Sequence, residues 1–122
     1  MIKLTFCLHR LPSLSREAFQ TYWREKHAPL VASHADTLNI KRYVQTHARD
    51  HDAAAGPQAV RGAPEGYDGI AELWWDSWES LIASADNPGG AEAGAALLED
   101  EKTFIDLARS PLWFNEEHVI VG

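Results

Sequence analysis

The chain has 122 residues, with Lys+Arg 11, Asp+Glu 18, one cysteine and 45% hydrophobic residues, and a formal net charge of −7. A chain of this size buries about two-thirds of its unfolded surface, enough for one core without disulfides or a structural metal, so a single domain over residues 1–122 is expected and disorder is excluded as the main state. The acidic balance argues against nucleic acid, no apolar run approaches the roughly 18 residues of a membrane span, and Met1-Ile2-Lys3-Leu4 has none of the parts of a secretory signal, so a cytoplasmic protein with neither nucleic-acid nor membrane partners is expected.

Ile2 to His9 alternates, with Ile2, Leu4, Phe6 and Leu8 on one side, and period two predicts a strand. Arg10-Leu11-Pro12-Ser13 breaks it. Ser15 suits a helix N-cap, with Glu17 in the first turn. Phe19, Tyr22, Trp23, Lys26, His27, Leu30, Val31 and His34 then follow at steps of three and four as one stripe. Pro29 lies inside that stripe and cannot donate to the carbonyl of Glu25, which predicts a kink or irregular turn near His27. Asn39 ends the helix, and Ile40 to His47 reads as a second strand.

Residues 49–66 are rich in Ala, Gly and Pro without periodicity and read as a long mobile loop, either a lid or a tolerated insertion. Tyr67 to Trp75 is a third strand, in which adjacent Trp74 and Trp75 must face opposite sides. Asp76 is the expected cap of the next helix, with Glu79 in the capping-box position. Asn87-Pro88-Gly89-Gly90 interrupts it, a second helical stretch runs from about Ala91 to Ala108, and Trp113 to Val121 reads as a fourth strand.

The order β-α-β-β-α-β is the ferredoxin-like α+β arrangement, a four-stranded antiparallel sheet with both helical layers on one face. Strands one, three and four carry apolar residues on both sides, so the uncovered face needs a partner. A homodimer packed sheet to sheet is expected, with Ile70, Trp74, Val119 and Val121 in the seam. Residues 1–61 carry 9 Lys/Arg against 5 Asp/Glu and residues 62–122 carry 2 against 13, which suits faces that attract within a chain or a dimer.

His27 and Tyr22 are the candidate catalytic residues, a base and a hydroxyl on one broad helix face. The proline-disrupted turn frees a backbone carbonyl that could fix the His27 tautomer. The structural alternative is a core histidine bonded to backbone. Phe19, Trp23, Tyr43, Trp75, Trp78 and Phe104 are candidate walls of a site for a small apolar or aromatic molecule, with Gln45 orienting a polar group; such residues also build ordinary cores. Of His9, His34, His47, His51 and His118, only His47 and His51 stand four apart, and they straddle a strand end and a loop rather than a helix turn; neither a Gly-rich phosphate loop nor a haem-attachment motif is present, so no metal and no cofactor is expected.

Leu14-Ser15-Arg16-Glu17-Ala18-Phe19, Tyr22-Trp23-Arg24-Glu25-Lys26-His27-Ala28-Pro29-Leu30-Val31, Arg42-Tyr43-Val44-Gln45 and Tyr67-Asp68-Gly69-Ile70-Ala71-Glu72-Leu73-Trp74 together resemble the EthD family. The segment around Tyr22, Trp23, His27 and Pro29 is the specific part. The resemblance implies a dimeric α+β barrel. It implies function more loosely, because the founding member accompanies an ether-degrading cytochrome system, fungal relatives act as polyketide dehydratases, decarboxylases or cyclases, and the wider superfamily includes cofactor-free monooxygenases and stress proteins. The related plant polyketide cyclase has a histidine after the proline of the interrupted helix; here that region reads Asn87-Pro88-Gly89-Gly90, with no histidine. Two functions are thus expected: an enzyme working by acid/base or oxidative chemistry, an oxidoreductase or a lyase/cyclase, or a non-catalytic small-molecule-binding barrel.

Overall fold

The computed structural model describes residues 1–122. Four strands, β1 (Ile2–Leu8), β2 (Arg42–His47), β3 (Gly69–Trp75) and β4 (Leu112–Asn115), form one antiparallel sheet in the order β2-β3-β1-β4. Directly paired residues share a face, so the register sorts the sheet into rows. Tyr43, Leu73, Leu4 and Phe114 form one row facing the helices, and Gln45, Ala71, Phe6 and Leu112 another. The opposite face carries Val44, Glu72, Thr5 and Trp113 in one row and Arg42, Trp74, Lys3 and Asn115 in the next.

The two tryptophans separate as alternation requires. Trp75 joins Ile2, Val31 and Ile40 in the core under the helices. Trp74 lies on the open face, where its indole N–H donates to Glu117 and the Arg42 guanidinium sits 4.8 Å from its ring. That face is mixed rather than apolar, because Lys3 pairs with Glu72 at 2.6 Å in its middle.

Ser15 caps α1 (Arg16–Tyr22), its hydroxyl accepting from the Ala18 N–H at 3.0 Å. A π-helical turn, Trp23–His27, separates it from α2 (Ala28–His34). The irregularity falls where Pro29 was expected to force it. Pro29 has no N–H to give, and the Ala28 N–H reaches back five residues to the Trp23 carbonyl. Trp23 and His27 are both buried in this turn.

Four expectations need correction. The stretch 49–66 holds a helix, α3 (Asp52–Arg61), capped by the His51 ring nitrogen at 3.0 Å and ended by Gly62 at φ 57°. It buries none of its residues, so it left no apolar period to recognise. Ser77, not Asp76, caps α4 (Trp78–Ser84), accepting from the Ser80 N–H at 3.1 Å. The next helix, α5 (Gly90–Glu101), stops well short of Ala108; a single 3₁₀ turn, Leu107–Arg109, follows. β4 ends at Asn115, which leaves Val119 and Val121 exposed outside the sheet. Between α4 and α5, Gly90 is required by contact: a Cβ there would lie 2.1 Å from the Ser84 carbonyl oxygen.

Candidate functional site

A cavity of about 360 Å³ lies between the sheet and the layer formed by the π turn, α2 and α5. Its walls include Trp23, Tyr43, Leu73, Trp75, Leu97 and Leu98. Of its eighteen lining residues only His27, Gly94 and Glu101 are not hydrophobic. The volume is near the lower end of the ~300–1,000 Å³ typical of small-molecule sites. Residues 49–66 contribute nothing to it.

The π turn presents His27 to this cavity, and α5 presents its partner. His27 Nδ1 lies 2.7 Å from Asp100 Oδ2, and the Tyr22 hydroxyl donates to Asp100 Oδ1 at 2.5 Å. A carboxylate only accepts, so Nδ1 carries the proton and Nε2 keeps its lone pair. Nε2 has no hydrogen-bond partner within the chain, yet no side-chain polar atom is sealed without one, so Nε2 keeps some accessible surface on a residue that lines the cavity. Burial lowers the His27 pKa below its ordinary value, and Asp100 only partly offsets this. The imidazole is therefore neutral at neutral pH. The bond to Asp100 raises the Tyr22 pKa, so the phenol stays protonated.

Asp100 thus takes the place expected for a freed backbone carbonyl. Tyr22 does not line the cavity; it positions Asp100. Trp23, Tyr43 and Trp75 stand on the cavity walls with His27. Phe19 and Phe104 are fully buried beside it, and the Phe104 ring lies 5.0 Å from those of Tyr22 and His27, seating the pair rather than facing a ligand. Gln45 is turned to an outer polar cleft; its amide donates to the Trp23 carbonyl at 2.9 Å and to the Tyr43 hydroxyl at 2.8 Å. Trp78 is half-exposed on α4 against Phe114, away from the cavity.

Asp100 and Glu101 were not singled out from the sequence. The signal was present: they occupy the stripe that runs from Leu97 to Phe104 at helical spacing. Glu101 is half-buried at the cavity, and burial, then the Asp100 charge, push its carboxyl up to about 7. No three His, Cys, Asp or Glu side chains gather into a metal-ligating group, and no helix is long and apolar enough to cross a membrane.

The family model of the EthD domain matches residues 11–108. No curated protein matches the sequence. Among solved structures, an EthD-like protein from Ralstonia eutropha is 19% identical with a TM-score of 0.64, covering 98% of this chain and 94% of its own. A dimeric protein of unknown function and ferredoxin-like fold from Bacteroides fragilis is 8% identical with a TM-score of 0.59, covering 95% of both chains. SnoaB, a cofactor-independent oxygenase from Streptomyces nogalater, is 14% identical with a TM-score of 0.51, covering 98% of this chain and 93% of its own. At these identities the likeness shows the ferredoxin-like α+β fold.

Proposed function

The chain belongs to the EthD domain family, and from that premise we propose that it is an enzyme that binds an apolar or aromatic metabolite in the cavity between sheet and helices and withdraws a proton from it with His27. One observation carries this: a neutral imidazole on the wall of an apolar cavity, with Nδ1 held by Asp100 and Nε2 left unpaired. A core histidine that merely steadied a bend would have no reason to leave one nitrogen unpaired beside a void. The proton comes from a phenol or from a carbon next to a carbonyl. Loss of that proton is the opening step shared by cyclisation, dehydration and cofactor-free oxidation of such molecules. A positioned base of this kind contributes about 10²–10⁴-fold.

The test uses 2-tetralone, an uncharged bicyclic ketone, in deuterated buffer. The wild type should speed deuterium uptake at the carbon beside the carbonyl, and His27→Gln should fall to the buffer rate while still quenching tryptophan fluorescence on binding. Binding without exchange in the wild type would favour a non-catalytic carrier. Equal exchange by both proteins would remove His27 as the base.

A homodimer completes the proposal. The accessible surface is 7981 Å², against roughly 6,600 Å² for a compact monomer of this mass. Part of the excess comes from α3 and the C-terminal tail, which bury nothing within the chain. Trp113 on the open sheet face and Val119, Ile120 and Val121 in the tail contribute to that excess. Light scattering at micromolar concentration should give twice the chain mass; a monomer throughout would refute the pairing.

A further inference from the structure

Glu101 has no structural explanation. It is the last residue of α5, and its carbonyl accepts from the Phe104 and Ile105 N–H groups as the chain turns. Its neighbours on the helix are both engaged, Glu99 by Lys102 at 2.8 Å and Asp100 by His27 and Tyr22. The Glu101 carboxyl makes no hydrogen bond and no ion pair, yet it is half-buried and lines the same apolar cavity as His27. A carboxyl partly withdrawn from water without a partner costs free energy, and such groups collect at functional sites.

We propose that Glu101 is a second catalytic residue of this cavity, donating a hydrogen bond and then a proton to an oxygen of the bound molecule while His27 takes a proton from it, and that the cavity accordingly accepts uncharged ketones and phenols and rejects carboxylates. The inference rests on the role given to His27 above. For a ketone the step balances within the site. The C–H bond beside the carbonyl breaks and its proton joins His27 Nε2. The electron pair forms a carbon–carbon double bond, and the former carbonyl pair on oxygen takes the Glu101 proton. An enol, an imidazolium and a carboxylate result, and reverse transfer restores both residues. No cation lines the cavity to receive an anionic substrate, whereas one carboxyl, Glu101, lines it and a second, Asp100, stands behind His27.

The titratable groups at that end are Asp100 on α5, His27 on the π turn and Tyr43 on β2. Burial moves His27 below its ordinary range and Tyr43 above its own, so Glu101, near 7, is the group that changes charge between pH 6.5 and 8.5.

Trp23 and Trp75 line the cavity, so their fluorescence reports binding by the full chain. The probes are 2-tetralone and 2-naphthoate, similar in size, the first uncharged and the second an anion. The wild type should bind 2-tetralone about tenfold tighter than 2-naphthoate, and lose roughly three- to tenfold of its affinity for the ketone between pH 6.5 and 8.5 as the Glu101 donor ionises. Glu101→Gln keeps a donor and cannot ionise. It should hold 2-tetralone equally at both pH values and bind 2-naphthoate about fivefold tighter than the wild type at the higher one. An unchanged pH dependence in Glu101→Gln, or a wild type that holds the two probes equally, overturns the role of Glu101 and leaves His27 untouched, since deuterium exchange reads that residue separately. Failure of both probes to bind the wild type overturns the cavity as the site, and this inference with it.

Discussion

Asp100→Asn should slow proton exchange about 10²- to 10³-fold while leaving probe binding and the fold intact. The reason is the tautomer. The Asp100 carboxylate can only accept, which keeps the proton on Nδ1 and the lone pair on the unpaired Nε2. An asparagine can turn its NH₂ toward Nδ1 and stabilise the other tautomer, in which Nε2 carries the proton and is no base. The substitution is nearly isosteric, so Phe104 still packs on both rings. Tyr22→Phe should cost less, about tenfold, because Asp100 keeps its bond to His27 and loses only the phenol that holds its other oxygen. The acid limb of the rate profile should move to lower pH in Asp100→Asn. Burial already lowers the His27 pKa, and the opposing pull of the carboxylate would be gone. Exchange kinetics in deuterated buffer across that range measure both effects. A wild-type rate in Asp100→Asn would mean that the orientation of His27 is set by packing alone.

His27 itself was legible because its local causes are local. The stripe from Phe19 to His34 and the missing N–H of Pro29 both act within a few residues, and the π turn appears where they meet. The partner of His27 was not legible, because Asp100 lies 73 positions away and reaches it only through the packing of α5 on that turn. The freed carbonyl expected to fix the tautomer was a local solution, and the fold used a distant one. Tyr22 illustrates the same limit. Its place beside His27 on the helix could be read from spacing, but whether the hydroxyl met ligand or protein depended on α5. The candidate aromatic residues divided by position: Tyr43 on β2, Trp75 on β3 and Trp23 on the π turn reach the cavity, whereas Phe19 and Phe104 fill the core behind it.

The errors at the chain's edges have their own physics. Residues 118–121 alternate well enough to suggest a strand, yet Lys3 already pairs with Asn115, and only Ile2 remains on β1 to continue the ladder. A strand needs a neighbour, and within one chain this one has run out. α3 shows the converse. Four alanines, a capping histidine and a terminal Gly62 make a helix without any packed face, and periodicity cannot detect a helix that buries nothing.

Asp68→Ala should be the most destabilising single change outside the hydrophobic core, about 2–4 kcal/mol of a total that for domains of this size is roughly 5–15 kcal/mol. The Asp68 side chain is 5% exposed. One carboxylate oxygen accepts from the Arg10 backbone N–H at 2.8 Å, and the other from the Arg10 guanidinium and from Arg16 Nε at 3.1 Å. Its own N–H donates to Leu8, and its carbonyl accepts from Ala48 and Gln20. This one residue therefore ties the end of β1, the start of α1 and the β2–β3 connection together. The estimate stays below the full cost of breaking a buried pair, because both guanidiniums are partly exposed and regain water when the carboxylate is lost. Burial alone would raise the Asp68 pKa, but the Arg10 N–H and the two guanidiniums outweigh it and hold the carboxyl below the ordinary range. A pKa depressed on folding adds stability above the unfolded value of about 3.9 and loses it as pH falls through the folded value. The gap in urea midpoint between wild type and Asp68→Ala should accordingly be full at neutral pH and shrink below about pH 4. A gap that persists undiminished in acid would show that the three tethers act through backbone geometry and not through the charge.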